Sequence, residues 1–260
     1  MVFTPNKGIQ FIDSYGIYVV RRMDVVLAVD LKGGYVVHGS CGDRANYLPL
    51  NWGLSPSAEP SAYISVMRPR YLYAADLDRI GFSGDHTKMI LRLADFVDGL
   101  WVDRGCSIPE EYLHGCNIHN IVGTETIDAP MDEFMGGFLS VDVKDGSVVA
   151  RQNFSQLLPS EISDPSGFCP EDVLRLANDT NFAGCILLNI SSVGTSSGID
   201  PAVVENLRSC CEKTLFYGGG VRSTEDLATL ADAGFDGAIV STAVHKGTVP
   251  LKIIQEGSFC

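Results

Sequence analysis

The apolar positions of the chain fall into short, nearly continuous runs separated by stretches of helical periodicity. Asp24-Val-Val-Leu-Ala-Val-Asp30, Gly184-Cys-Ile-Leu-Leu188, Leu215-Phe-Tyr217 and Gly237-Ala-Ile-Val240 are the clearest runs. Runs of this length, without alternation, are expected of strands buried on both faces. Between them, Val-Leu-Arg-Leu-Ala at 173–177, Val204 with Leu207, and Leu227, Leu230 and Ala231 repeat at helical spacing. Ser223-Thr-Glu-Asp226 reads as a capping box opening the last of these. Strands alternating with helices predict a parallel sheet covered on both sides.

The chain also resembles itself. AVDLKGGYVVH at 28–38 aligns with SVDVKDGSVVA at 140–150, six of eleven positions being identical, among them Asp30 with Asp142 and Lys32 with Lys144. Three further pairs follow in the same order. LYAADLDRIG (72–81) aligns with ILLNISSVG (186–194), LWVDRGCSIPEE (100–111) with LFYGGGVRSTED (215–226), and IVGTET (121–126) with IVSTAV (239–244). The offset drifts only from 112 to 118. Four βα units, present twice, predict a (β/α)8 TIM barrel built from two half-barrels, about 24–136 and 137–260. An open doubly wound sheet would not require the duplication. Residues 1–23 stand outside the pattern. They are either an extension that packs on the barrel or the product of a start codon assigned upstream of Met23.

Composition narrows the function. With 260 residues, 45% hydrophobic and 20% charged, the chain has the profile of a globular domain that needs no disulfide or metal staples. A formal charge of −13 argues against an exposed face for nucleic acid or an anionic membrane. Any phosphate would have to be held by local N–H groups. The eight cysteines contain no C-x-x-C pair and are expected to be reduced thiols in a cytoplasmic protein. Neither they nor the five histidines show metal-ligand spacing, and no cofactor is expected. No apolar run is long enough to span a membrane.

Active sites of such barrels lie at the carboxyl ends of the strands. Asp30 and Asp142 end equivalent strands, which places two carboxylates on opposite sides of one mouth, an arrangement suited to general acid–base work. A lone strand-end aspartate is more often a turn residue; the symmetric pair favours catalysis. Gly218-Gly219-Gly220 and Ser241-Thr242 follow the last two strands, where a phosphate is often held on backbone N–H groups. In the first half, Asp103-Arg104-Gly105 replaces the glycines, so Asp103 would repel a phosphate unless Arg104 rescued the site. Gly123-Thr124 still resembles a phosphate loop. The Gly194-Thr195 loop could close over a substrate, and Lys32, His38, Arg44, Asp76 and its counterpart Asn189 are second-tier candidates.

AVDLKGG, AADLDRIG, SVDVKDG, VGTSSG, GGGVRSTEDL and IVSTAV, in this order, resemble the histidine-biosynthesis barrel family. That family includes phosphoribosylformimino-aminoimidazole carboxamide ribotide isomerase and the cyclase subunit of imidazole glycerol phosphate synthase. The resemblance implies a cytoplasmic enzyme, a monomer or homodimer, acting on a phosphorylated small molecule without a cofactor. Asp30 and Asp142 match the catalytic aspartates of an Amadori rearrangement, with Asp142 as the acid at the ring oxygen and Asp30 as the base at C2. Gly218–Gly220, Ser241 and Thr242 match one phosphate site. The chain also departs from the family. The threonine usual at the end of the fifth strand is replaced by leucine or, with one residue deleted, by Asn189, and Val193 replaces an acidic residue. Loss of one phosphate loop is expected if the substrate carries a single phosphate. LYAADLDRIG and LWVDRG are similar to a divergent branch that accompanies methanopterin-type one-carbon cofactor genes. The readings left open are the histidine-pathway isomerase, another phosphorylated metabolite of that branch, and a barrel that only binds phosphate ligands. The cyclase reading needs an ammonia-delivering partner and is weaker.

Overall fold

The computed structural model describes residues 10–12, 18–20, 22–39, 42–158 and 168–260. Eight parallel strands close on themselves: β1 (Met23–Lys32), β2 (Tyr71–Asp76), β3 (Gly99–Asp103), β4 (Ile118–Gly123), β5 (Phe138–Lys144), β6 (Gly184–Asn189), β7 (Thr214–Gly218) and β8 (Gly237–Val240). Each pairs with the next, and β8 pairs back onto β1 with Val240 opposite Leu27. This is a TIM barrel. β2 and β6 match over their full length at an offset of 113, and β3 and β7 at 115. β1 and β5 each turn back as a short antiparallel hairpin, through Tyr35–Val37 and Ser147–Val148. Before the barrel, Gln10–Ile12 pairs antiparallel with Tyr18–Val20. The question of how residues 1–22 pack lies largely outside the described residues.

The helical layer is less regular than the alternation predicts. Helices α1 (Pro60–Met67), α2 (Leu77–Ile80) and α3 (Thr87–Leu93) follow β1 and β2. Helices α4 (Pro170–Ala177), α5 (Pro201–Ser209), α6 (Thr224–Ala233), α7 (Thr242–His245) and α8 (Leu251–Glu256) cover the second half. After β3 and β4, among the described residues, there are only single 3-10 turns at Pro109–Glu111 and Met131–Glu133. Pro109 and Gly115 break one connection, and Pro130 with Gly136-Gly137 the other. Their apolar side chains replace a helix face: Met131 and Phe134 are fully buried, and Phe134 stacks on Phe182 with ring centroids 5.5 Å apart. The predicted capping box of α6 is also altered. The Asp226 carboxylate accepts the N–H of Arg222 at 2.9 Å, and the Ser223 hydroxyl bonds Glu225.

The floor of the barrel is aromatic. Trp101 stacks on His119 at 4.5 Å, meets Tyr71 and Phe138 edge-on, and packs on Phe216. Five rings in one layer need space from the neighbouring strands. A Cβ at Gly184 would lie 2.5 Å from Phe138 and 2.7 Å from the Thr214 carbonyl oxygen, and one at Gly237 would meet Phe216 at 2.7 Å. The floor closes the lower end, so ligand access is confined to the carboxyl ends of the strands. Because the Thr214 carbonyl cannot yield as a side chain can, Gly184→Ala is expected to destabilise the protein by about 1–3 kcal/mol. Its denaturation midpoint should fall with no change in the slope of the urea transition.

Candidate active site

One cleft opens above the aromatic floor, with about 1050 Å³ of empty space including its mouth. Four carboxylates and one guanidinium line it: Asp30 at the end of β1, Asp103 at the end of β3, Glu125 just past β4, Asp142 on β5, and Arg44. Arg44 lies in the loop after the β1 hairpin. That loop is tied down by Lys32, whose Nζ donates to the Arg44 carbonyl at 2.7 Å and to that of Ala45 at 3.0 Å. Lys32 is therefore an anchor and does not line the cleft. Arg44 Nη2 pairs with Glu125 Oε1 at 2.5 Å. Tyr73 reaches up from β2 and donates its hydroxyl to Asp103 Oδ2 at 3.1 Å. Asp142 Oδ1 accepts the Ser140 hydroxyl at 2.7 Å. Gly39 lets the backbone pass close to Asp30, since a Cβ there would sit 2.5 Å from Oδ2.

Crowding separates the acidities of the two aspartates. Burial raises Asp30 to about 6, with Arg44 opposing and Asp103 reinforcing the shift. Asp142 lies well above the ordinary carboxylate range, because of burial first and then the charges of Asp103 and Glu125; the Ser140 bond and Arg44 pull the other way. Asp103 is also raised by burial, against the bonds from Gly105 and Tyr73. Burial acts to lower Arg44, but its bond to Glu125 and the surrounding negative charges reverse the sign, so it is held as a cation. Both carboxyl groups thus hold a proton to higher pH than an exposed aspartate, Asp30 to about 6 and Asp142 well above the ordinary range. One can accept a proton while the other gives one.

The far side of the cleft is different. Gly219 and Gly220 both have positive φ (98° and 85°), and Gly219 lies directly against the Asn189 carbonyl, where no side chain fits. The N–H groups of Gly219, Gly220, Val221 and Ser241 find no acceptor among the described residues. Ser241, Thr242, Gly194, Ser196 and His38 line the same end. His38 Nε2 is 3.4 Å from Thr242 Oγ1, and Lys246 Nζ donates to Ser196 Oγ at 3.3 Å. This end presents N–H and O–H donors with a cation behind them, the requirements of an oxyanion site.

Several expected residues lie elsewhere. Gly218 is the last residue of β7, makes room for Leu188, and does not line the cleft. Thr195 is spent on a local turn, bonding the Ser192 carbonyl and the Ser197 N–H, and Ser196 faces the cavity in its place. Leu188, not Asn189, lines the cleft at the end of the strand; the Asn189 side chain bonds Tyr217. Asp76 is fully buried outside the cleft, accepting the Arg79 and His86 N–H groups and His86 Nδ1. His86 Nε2 in turn accepts the Gly34 N–H, so its proton sits on Nδ1 and the group pins the β1 hairpin turn.

Two N–H groups of the expected first-half phosphate loop are bonded to the protein's own carboxylates. The Gly105 N–H donates to Asp103 Oδ1 at 3.2 Å, and the Ser107 N–H to Glu111 Oε2 at 2.7 Å. Arg104 does not rescue it. The guanidinium is turned away, with Nη1 bonding the Glu111 carbonyl and Nη2 lying 3.6 Å from Asp85. Thr124 is buried, bonding the Val149 carbonyl and the Asp142 N–H, while Gly123 packs against the Asp142 carboxylate. Sequence reasoning missed Tyr73 and Glu125 and took Asp103 only as a repelling charge. The alignment of Asp103 with Gly218 at equivalent strand ends was the available signal.

A profile of the Histidine biosynthesis protein family matches residues 24–250. The chain belongs to that family. An uncharacterized protein of Methanocaldococcus jannaschii is 28% identical over 241 residues, 89% of this chain and 97% of the relative. A 1-(5-phosphoribosyl)-5-((5-phosphoribosylamino)methylideneamino) imidazole-4-carboxamide isomerase of Thermus thermophilus is 26% identical over 238 residues, 88% and 97% of the two chains. The isomerase of the same name from Thermococcus kodakarensis reaches 32%, over 54% of this chain and 56% of its own. The first two similarities span most of both chains.

The raised acidity constant of Asp30 has a consequence for stability. A carboxyl whose pKa is higher in the folded state favours folding below its unfolded value, and that contribution is lost as pH rises through the folded value. Between pH 4 and about 6 wild-type stability should therefore fall relative to Asp30→Asn. At pH 7 the variant is expected to be more stable by at most about 3 kcal/mol, with no difference of this origin below pH 4. Urea titrations at the two pH values measure it.

Proposed function

We propose that the chain is an Amadori-type isomerase that converts a phosphorylated aminoaldose into the aminoketose, with the phosphate on Gly219, Gly220, Ser241 and Thr242. The observation that carries this reading is the placement of two aspartates in one cleft, both with raised acidity constants, beside an unfilled cradle of N–H donors. Asp142 delivers its proton to the ring oxygen as the C1–O bond opens and the amino nitrogen lone pair forms the iminium. Asp30 takes the proton from C2, and the electrons of that bond move to give the enolamine, which tautomerises to the ketose. Both are proton transfers at carbon or oxygen that positioned carboxyl groups accelerate about 10²–10⁴-fold each. The full-length relative named as a histidine-pathway isomerase supports the reaction class.

A second reading concerns the substrate. The N–H groups of Gly105 and Ser107 are bonded to the chain's own carboxylates. This favours a metabolite with one phosphate over the doubly phosphorylated ribotide, and hence a branch of the family with a different pathway role, as in one-carbon cofactor synthesis.

The test is an isomerase assay on two substrates, the histidine-pathway ribotide and a singly phosphorylated ribosylamine. Turnover is expected on the second, rising through pH 6 as Asp30 ionises and falling at higher pH as Asp142 loses its proton. Asp30→Asn and Asp142→Asn should each lower kcat by at least about 10². No turnover of either substrate, by a folded protein that still binds phosphate, would instead describe a non-catalytic binding barrel.

A further inference from the structure

The two ends of the cleft are built for opposite charges. At the β7–β8 end, backbone N–H groups stand open with Lys246 nearby. At the β3–β4 end, Asp103, Glu125 and Asp142 face the cavity, with Arg44 as the one cation lining it among the described residues. Arg44 is ion-paired with Glu125, so Asp103 and Asp142 feel its field but make no direct ion pair with it. Asp142 is only 4% exposed, and its Oδ2 has no hydrogen-bond partner among the described residues. A carboxyl oxygen open toward a cavity can take a hydrogen bond from a ligand that supplies a donor. Asp103 spends only one lone pair of each oxygen, on Tyr73 and on Gly105, so both oxygens can accept a further bond.

A second phosphate could not be received here. It would meet Asp103 at close range, and two N–H groups of the former cradle are already bonded. A divalent metal is disfavoured by geometry, since no group of three His, Cys, Asp or Glu among the described residues is disposed to hold one. A nitrogen cation fits: it carries several donors, matches the excess charge and needs no fixed coordination shell.

Resting on the phosphate-held isomerase reading, we infer that the substrate is a zwitterion of extended shape, with a phosphate at the β7–β8 end and a cationic nitrogen at the far end, received by Asp103 with Asp142 and Glu125 beside it. The ammonium or amidinium group is carried on the substituent of the aminoaldose nitrogen. Its arrival would lessen the repulsion that Asp103 exerts on Asp142 and so oppose part of the upward shift of that carboxyl group.

Calorimetry with three ligand series tests this at pH 7.5: n-alkyl phosphates, the ω-aminoalkyl phosphates of equal length, and the α,ω-bisphosphates. At the best chain length the amino compound should bind about tenfold tighter than the alkyl phosphate, equal to about 1.4 kcal/mol, and the bisphosphate more weakly than either. Asp103→Asn should reduce the amine preference to less than about threefold while leaving alkyl phosphate affinity unchanged, and Glu125→Gln should reduce it in part. A bisphosphate that binds tightest, or an amine preference that is absent or survives Asp103→Asn, overturns the inference while leaving the phosphate reading intact. Failure of the alkyl phosphates to bind, or binding untouched by Gly220→Val, overturns the phosphate reading and this inference with it.

Discussion

A single guanidinium set among four carboxylates governs the mouth of this barrel. Arg44 remains charged because Glu125 grips it and Asp103 and Asp142 surround it, and in return it limits how far those carboxyl groups are raised. Removal of any member would change the charge state of the others, because burial makes each charge count heavily. The position of Arg44 depends on parts outside the cleft. Lys32 holds its loop by two carbonyls, while His86, buried between Asp76 and the Gly34 N–H, and Asp78, which accepts the Gly33 N–H, fix the hairpin from which the loop departs. Much of the AADLDRIG motif is thus spent on shaping the β1 end rather than on touching a ligand.

The two halves of the barrel differ in the loops that follow their strands. β2 and β6, and β3 and β7, coincide at the offsets of the sequence similarity, so equivalent strand ends present equivalent positions to the cleft. At the equivalent ends of β3 and β7, Gly218 is followed by open N–H groups, whereas Asp103 folds back onto the Gly105 N–H. A carboxylate at the last residue of a strand needs only a glycine at positive φ two residues on to close this bond, and Gly105 has a φ of 64°. Among the described residues β3 and β4 are followed only by 3-10 turns, whereas β7 is followed by a helix. These differences give the cleft a direction.

The frame was legible in the sequence because uninterrupted apolar runs and a collinear repeat constrain the topology strongly. Asp30 and Asp142 were legible for the same reason, as the repeat places them at matching strand ends. The loops were not. Whether an N–H stays open or is bonded by a nearby carboxylate depends on a few dihedral angles, and Gly105, Ser107 and Glu111 show no pattern that fixes them. Tyr73 was hidden inside an apolar strand, where a tyrosine reads as core. Glu125 lay in a polar turn, where acids are common. Arg104 illustrates the opposite error: its charge suggested a role in the cleft, but its side chain is turned toward Glu111 and Asp85. Thr195 and Asn189 each lie one position away from the residue that lines the cavity, a shift of the kind that loop conformation and strand register decide.

The account stands or falls on both aspartates titrating above the ordinary carboxylate range. Carbon-13 NMR of the side-chain carboxyl groups, assigned with Asp30→Asn and Asp142→Asn and followed from pH 3 to 9, measures this directly. The account predicts that Asp30 titrates near 6 and that Asp142 titrates well above the ordinary carboxylate range. Two carboxyl groups that both ionise below pH 5 would contradict it, since neither would then be available as the acid at neutral pH.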